Sequence, residues 1–592
     1  MKRMIGQLKA MYNDVYGLSG ANTSEMDMLY VTRRVEKEGI SFLTITLPAL
    51  SGALLEALEE GRWPHAQVTS FRCDKGKTLP RLFSGLFRLI FDMETGVLLP
   101  DANVTAIWGI YQLCSSFKKI ELECSPERVK KAYEKYLATD TEVRETRRIA
   151  SCDRLALQEV FNTLYANALQ SVEESIFYGR LRPRYSSGSV AEGYSENQKF
   201  SAPFYQRLGY LFHPDWYLVP NLSGTGELSG REFVAIGHET PAKVTHVPKT
   251  LKTPRLIAME PTCIQYAQQA LMREFYDEIL RSEAGKSLNF RDQTVNGQRA
   301  LRGSVDRSLA TIDLSEASDR VGSGLVSRLF KNFPLTREFL FRARSSRVSL
   351  PDGKTVRLKK FASMGSAMCF PVEAMVFHAI ATYGIVLAER KGWSSSRIKR
   401  VGASVTVFGD DIIVPNRHAP TVTLALDYFG LKVNSKKTFH KGFFRESCGV
   451  DAYKGQVITP IYARKPLPKS PRDVPEILAN VAYSNLLFRN GMWNASDYVR
   501  REVERVIKMR LPIVAHNSGA LGLTHPWSQY YDTHRYCRDL QSPRVRTLVL
   551  STGRRLRHLG GVESTVKSLL RLEESHGVPS IPLQVDNGDG TL

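Results

Sequence analysis

No Cys-x-x-Cys pair occurs in this chain. Its eight cysteines, Cys73, Cys114, Cys124, Cys152, Cys263, Cys369, Cys448 and Cys537, are scattered singly. That argues against a zinc site and a disulfide framework, and it points to a reducing compartment. An unbroken apolar span is also missing. The longest apolar stretch, 367–388, is interrupted by Pro371, Glu373 and His378, so it reads as a buried helix rather than a bilayer span. The first residues, MKRMIGQLKAMYNDVYG, hold no continuous apolar run, and no signal peptide is expected. No internal repeat is found. Acidic charge is short as well: 60 Asp and Glu face 81 Lys and Arg, for a net charge of +21. Such an excess leads us to expect a polyanionic partner, either nucleic acid or an anionic surface. The 592 residues are enough for three or more subdomains around a large core.

The densest chemistry lies in ASVTVFGDDIIV, Ala403 to Val414. Runs 404–408 and 412–414 are apolar and β-rich, which predicts two strands with Gly409-Asp410 at the tight turn between them. Asp410 and Asp411 then stand together at the tip of an apolar hairpin. Holding like charges side by side is costly unless a cation neutralises them. Two divalent metals ~3.5–4 Å apart would do so, while activating an attacking oxygen and stabilising a leaving one. Asp-Asp alone also fits a solvated surface turn.

Leu309 to Ile312 reads as a short buried strand ending at Asp313, with a helix expected over 319–330. A carboxylate at that strand end can complete an oxygen-rich Mg²⁺ site shared with substrate phosphates. It fits equally a helix N-terminal residue favoured by the dipole. RVSLPDGKTVRLKK (347–360) predicts a hairpin around Pro351-Asp352-Gly353. Ser363, Gly365 and Ser366 then form a small-residue loop before a helix with Pro371 in its first turn. Such a loop lets backbone and hydroxyl groups approach a ligand, or it is a plain loop-to-helix junction. In KVTHVPKTLKTPRLIAMEP (243–261), Lys243, Lys249, Lys252 and Arg255 sit among residues that favour extended chain. The segment can neutralise triphosphate or backbone charge, or be a solvated loop. Gly430 is predicted to end a helix, with a short strand and then Lys436-Lys437 to follow. A lysine there can protonate a departing pyrophosphate or be an ordinary surface residue. Elsewhere, residues 1–180 carry helical patterns, as in Pro126 to Ala138 and Leu155 to Phe177. Residues 180–255 are loop-rich, and the glycine cluster at 223–230 lacks the strand–helix frame of a dinucleotide site. Residues 472–560 return to helical, basic patterns.

In order and spacing, these features resemble motifs F, A, B, C and D of right-hand polynucleotide polymerases. More narrowly, DQTVNGQRA (292–300), DLSEASD (313–319), SMGSAMCFPVEAMVF (363–377), FGDDII (408–413), NSKKTF (434–439) and FRESCG (444–449) make 243–465 similar to the replicase β subunit of levivirus-type positive-strand RNA bacteriophages. The flanks match only in general character. The resemblance implies an α+β right-hand fold of fingers, palm and thumb, the palm being an antiparallel sheet flanked by helices. It divides the chain into a mostly helical N-terminal region with fingers (1–240), fingers with a basic NTP-channel segment (241–305), palm (306–450), thumb and C-terminal helices (451–565), and a disordered tail (566–592).

The same resemblance implies Asp313, Asp410 and Asp411 as ligands of two Mg²⁺ ions, for which Mn²⁺ can substitute, with Lys437 as a further catalytic group. Lys249, Lys252, Arg255, Asp319, Ser363, Gly365 and Ser366 would meet the NTP, and Lys243, Lys436 and Arg445 the RNA. Ser366 departs from the asparagine that the family often carries there to position the ribose-sensing aspartate. Residues 314–318 hold no aromatic side chain of the kind that excludes a 2′-hydroxyl. The expected function is RNA-directed RNA synthesis on a single-stranded genome, with primer-independent initiation, in the host bacterial cytoplasm. The expected partners are template and duplex RNA, NTPs, host elongation factors Tu and Ts, and a single-strand-binding ribosomal protein, with no membrane. The rival expectations are an inert RNA-binding repressor or packaging protein on a polymerase fold, and a reverse transcriptase.

Overall fold

A computed structural model describes residues 1–548, apart from 65–69, 75–76, 144–147, 220–229, 517 and 528–530, together with Lys567. The glycine cluster, save Gly230, and the tail, save Lys567, lie outside the described residues.

The fold is α+β, as expected. Helices Lys2–Ser19, Leu47–Glu60 and Val104–Ser115 share one apolar core with Phe439, Phe444, Tyr453 and Val499. The helix that opens the described chain meets a helix from its C-terminal part there. The Asp14 carboxylate accepts from Asn494 N (3.0 Å) and Ala495 N (2.8 Å), at the start of the Trp493–Ile507 helix. An acid at that place satisfies donors the first turn leaves free and suits the helix dipole. Helix α1 (Pro126–Glu142) follows this core and lies against the elements of the site.

Strands β1 (Ala242–Val247) and β2 (Arg255–Met259) form an antiparallel pair. Helix α2 (Thr294–Asp306) then leads into β3 (Leu309–Ile312). The helix expected over 319–330 is in fact two, α3 (Ala317–Arg320) and α4 (Ser323–Leu329). The break has a cause: Phe361 N donates to Val321 O at 2.7 Å, and Ser323 N to Lys359 O at 3.0 Å. Pairing with 359–361 takes these backbone groups out of a helical ladder. Strands β4 (Arg347–Ser349) and β5 (Thr355–Arg357) form the expected hairpin, and β4 joins β1 in parallel.

Helix α5 (Cys369–Glu389) is long and apolar enough to cross a bilayer, yet it is almost wholly buried in the second, larger core. It supports β6 (Thr406–Phe408) and β7 (Asp411–Pro415). The resulting antiparallel sheet has the order β3-β7-β6. Helix α6 (Ala419–Tyr428) ends before Gly430, whose φ of 94° suits the expected stop. The strand expected next is only a single bridge, Leu314 to Val433, and Ser435–Lys437 is a turn of 3-10 helix. Strands β8 (Phe444–Ser447) and β9 (Val450–Tyr453) follow. The helical reading of 472–560 holds for Val474–Arg489 and Trp493–Ile507. It fails for the described residues of 508–548, which are irregular with a small hairpin of Arg535–Cys537 and Ser542–Arg544, and 549–560 lies outside the described residues.

Candidate active site

Register brings the three aspartates together. Ile312 pairs with Ile412, and the next step along β3 and β7 sets Asp313 beside Asp411. Phe408 pairs with Asp411, leaving Gly409-Asp410 as the two-residue turn. Gly409 has φ +63°, and a Cβ there would sit 2.8 Å from the Phe370 ring. Only glycine fits this turn unstrained. Asp410 is exposed at the tip, while Asp313 and Asp411 are half-buried.

The charges are held, but not neutralised. Asn434 Nδ2 donates to Asp313 Oδ2 at 2.8 Å, and Lys437 Nζ stands 3.9 Å from Asp313 Oδ1. Even so, burial and the Asp410 and Glu446 charges outweigh these partners and push the Asp313 carboxyl up to about 6. Burial, then Asp410, raises Asp411 to about 7, although Cys448 N donates to its Oδ2 at 3.1 Å. Lys437 also faces Glu446 at 3.5 Å. Burial works against its charge, yet Glu446 and the three aspartates together raise it to about 12. This lysine is a charged proton donor throughout the neutral range. Beneath the turn, desolvation and Asp410 push half-buried Glu373 well above the usual carboxylate range. Among the described residues no three His, Cys, Asp or Glu side chains form a ready-made metal cage. The aspartates are nonetheless hard oxygen donors with excess negative charge. That donor set suits a Mg²⁺ ion whose shell is completed by substrate phosphates and water.

The other expected residues divide. Lys249 is exposed at its surface. Burial and the Arg255 and Lys437 charges lower its pKa, while Asp410 and Asp313 oppose this, so its ammonium shares the field of the aspartates. Arg255 and Lys252 are exposed, and the Lys252 charge acts on Lys118. The Ser363–Ser366 loop is fastened to β2: Ala258 N donates to Met364 O at 2.8 Å. Gly365, with φ +120°, approaches so closely that a Cβ would meet Ala258 O at 2.1 Å. Ser363 and Ser366 are buried, and the Ser363 hydroxyl is bonded to Tyr136 Oη at 2.7 Å. Asp319 Oδ1 pairs with Lys360 Nζ at 3.0 Å. Lys243 and Lys436 are exposed.

Arg445, expected on the RNA, requires correction. Its side chain is fully buried and donates to the carbonyls of Leu309, Gly442 (2.8 Å) and Phe444 (2.6 Å). A guanidinium so engaged fastens β8 to β3 and has no face for RNA. Sequence reasoning also missed Asn434, Glu446 and Asn296, whose Nδ2 donates to Asp411 O at 3.2 Å. All three lie inside the quoted motif segments, and none has a spacing that marks it.

The model of the family described as RNA replicase, beta-chain matches residues 225–498. The chain is 39% identical over 242 residues to the RNA-directed RNA polymerase subunit beta of Escherichia virus Qbeta, covering 40% of this chain and 38% of that one. It is 39% identical over 221 residues to the RNA-directed RNA polymerase beta chain of Escherichia phage MS2, covering 37% of each. With the subunit beta of Enterobacteria phage SP it shares 31% over 364 residues, 57% of each. The matches thus span between 37% and 57% of these curated relatives. Among solved structures, the RNA-dependent RNA polymerase of a human picobirnavirus aligns with 45% of this chain and 56% of its own, at 12% identity and TM-score 0.34, a likeness too slight to build on. Residues 225–498, which match the RNA replicase beta-chain family, are the part of the chain that carries the aspartates, the Ser-Met-Gly loop and the lysine turn.

Proposed function

We propose that this chain is an RNA-directed RNA polymerase that copies single-stranded phage RNA from NTPs. The observation that carries the reading is the β3–β7 register, which gathers Asp313, Asp411 and the Asp410 turn next to a protonated lysine. In the reaction, the 3′-hydroxyl of the growing strand attacks the α-phosphate of an NTP and pyrophosphate leaves. Two magnesium ions, held by Asp313, Asp410 and Asp411 with phosphate oxygens, would supply charge neutralisation and Lewis acidity there, and Mn²⁺ offers the same chemistry. Lys437 hands its proton to the departing pyrophosphate oxygen. Lys249, Lys252 and Arg255 draw in and orient the triphosphate, and Lys243 and Lys436 hold RNA by its phosphates. No aromatic side chain occurs in 314–318 to crowd out a ribose, which favours NTPs over the dNTPs of a reverse transcriptase. Primer-independent initiation, work in the bacterial cytoplasm, and association with elongation factors Tu and Ts and a ribosomal protein belong to the same proposal, on resemblance alone. So does the division into fingers, palm and thumb.

The test incubates the purified chain with single-stranded RNA, four NTPs and Mg²⁺, with and without bacterial extract, beside Asp410→Asn. Labelled complementary RNA should form and fall by at least ~100-fold in the variant, the scale of losing one preorganised electrostatic group. Tight RNA binding with no product under any condition would favour the inert RNA-binding protein instead.

A further inference from the structure

Lys360 has no exposed surface. Burying an ammonium is unfavourable unless its charge is paired and its donors are engaged. Two groups meet it. Asp319 Oδ1 lies 3.0 Å from Nζ. The face of the Tyr136 ring lies 3.3 Å away, measured to its centroid, in a cation–π contact. Tyr136 is fixed in turn by its 2.7 Å bond to Ser363 Oγ. One turn along α1, the Asp140 carboxylate accepts from the backbone N–H of Lys359 and of Lys360, each at 3.0 Å. Helix α1 therefore clamps both the backbone and the side chain of this lysine. The same 359–361 stretch pairs with 321–323 and interrupts the helix after Asp319. Lys360 thereby ties the Asp319 turn to the Ser363 loop.

Asp319 itself keeps 22% of its side chain exposed. It lies in the short helix α3, which follows directly on the strand end that carries Asp313. A carboxylate held on one oxygen and open in part is a built acceptor for a hydroxyl donor. We propose that Lys360 is a positioning residue for sugar recognition: it fixes Asp319 to accept a hydrogen bond from the 2′-hydroxyl of the incoming nucleotide, with Tyr136 and Ser363 holding the lysine in place. The inference rests on the polymerase reading above. A site built to bond a hydroxyl rejects the analogue lacking it, because the acceptor is then left unpaired.

The experiment measures kcat/KM for ATP and for 2′-deoxy-ATP on a primed RNA hairpin with a templating uridine, with thermal melts alongside. Wild type should favour ATP. In Lys360→Met the ratio should fall at least ~10-fold, through loss on ATP with 2′-deoxy-ATP little changed. Asp319→Ala should match it, and the double variant should lose no more than Asp319→Ala alone, since residues acting through one contact are not additive. A merely structural lysine would slow both nucleotides equally. A folded Lys360→Met with the wild-type ratio, or additive losses in the double variant, overturns the inference. Should that variant not fold, Tyr136→Leu carries the same expectation. Extension by wild type without discrimination defeats the inference and leaves the polymerase reading standing. Extension with neither nucleotide defeats both.

Discussion

Gly409→Ala should uncouple synthesis from binding. The turn residue has φ +63°, a conformation that costs an L-residue roughly 1–2 kcal/mol. Strain alone would be tolerable in a chain of this size. The contact is worse: a Cβ would lie 2.8 Å from Phe370 Cε2 and 3.3 Å from its Cδ2. Ordinary carbon contacts begin near ~3.5 Å, so ring or turn must move by about 0.7 Å. Phe370 is poorly placed to yield. It packs edge-on against Phe408 (5.1 Å between centroids) and Phe290 (6.0 Å). The displacement therefore falls on Asp410 and Asp411, and a shift of ~1 Å at reacting groups costs on the order of 100-fold. Single-nucleotide incorporation on a primed RNA hairpin, with filter binding of the same RNA, measures both effects. Gly353→Ala is the control. Its φ is +85°, but nothing lies within 4 Å of the added carbon. It should lose a little stability and no rate. Equal rates for Gly409→Ala and wild type would refute the claim that this turn sets the aspartates.

Lys437→Met should lower incorporation by ~100-fold with RNA affinity unchanged, and Lys437→Arg should restore little, because a guanidinium holds its proton; wild-type rates in Lys437→Met would remove it from the chemistry. Burial raises Asp313 to about 6 and Asp411 to about 7. Between the ordinary value near ~3.9 and those values the native state binds more protons than the unfolded chain, so both groups cost the metal-free protein stability as pH climbs through that window. Mg²⁺ should offset the loss and raise Tm more at neutral pH than in mild acid, and an equal shift at both would count against these ligands. Arg445→Met strips donors from one buried and two partly buried carbonyls. At ~1–3 kcal/mol for each buried group left unsatisfied, Tm should drop clearly. The salt dependence of RNA binding should stay as it was, and a shallower slope would restore Arg445 to the RNA surface.

The chemistry of the site was legible where it depended on local pattern. Apolar runs around Gly409-Asp410 predict β6 and β7, and 309–312 predicts β3, because strand and turn preferences act over a few residues. The pairing of Ile312 with Ile412 is a long-range fact that no local pattern encodes, and it alone makes three separate carboxylates one site. The broken helix at Val321 has the same origin. Its sequence is helical, and the competing hydrogen bonds come from 359–361.

Basic residues show the limit most sharply. In sequence, Lys360, Lys436, Lys437 and Arg445 look alike: each is a cation close to the catalytic motifs that adds to the +21. The fold gives them different work. Arg445 is enclosed by carbonyls and Lys360 by Asp319 and Tyr136. Lys437 faces Asp313 and Glu446, while Lys436 is exposed. Net charge therefore overstates the surface offered to RNA. The buried cations are matched within the protein and release no counterions when RNA binds. The salt dependence of binding must come from exposed groups such as Lys243, Lys252 and Lys436.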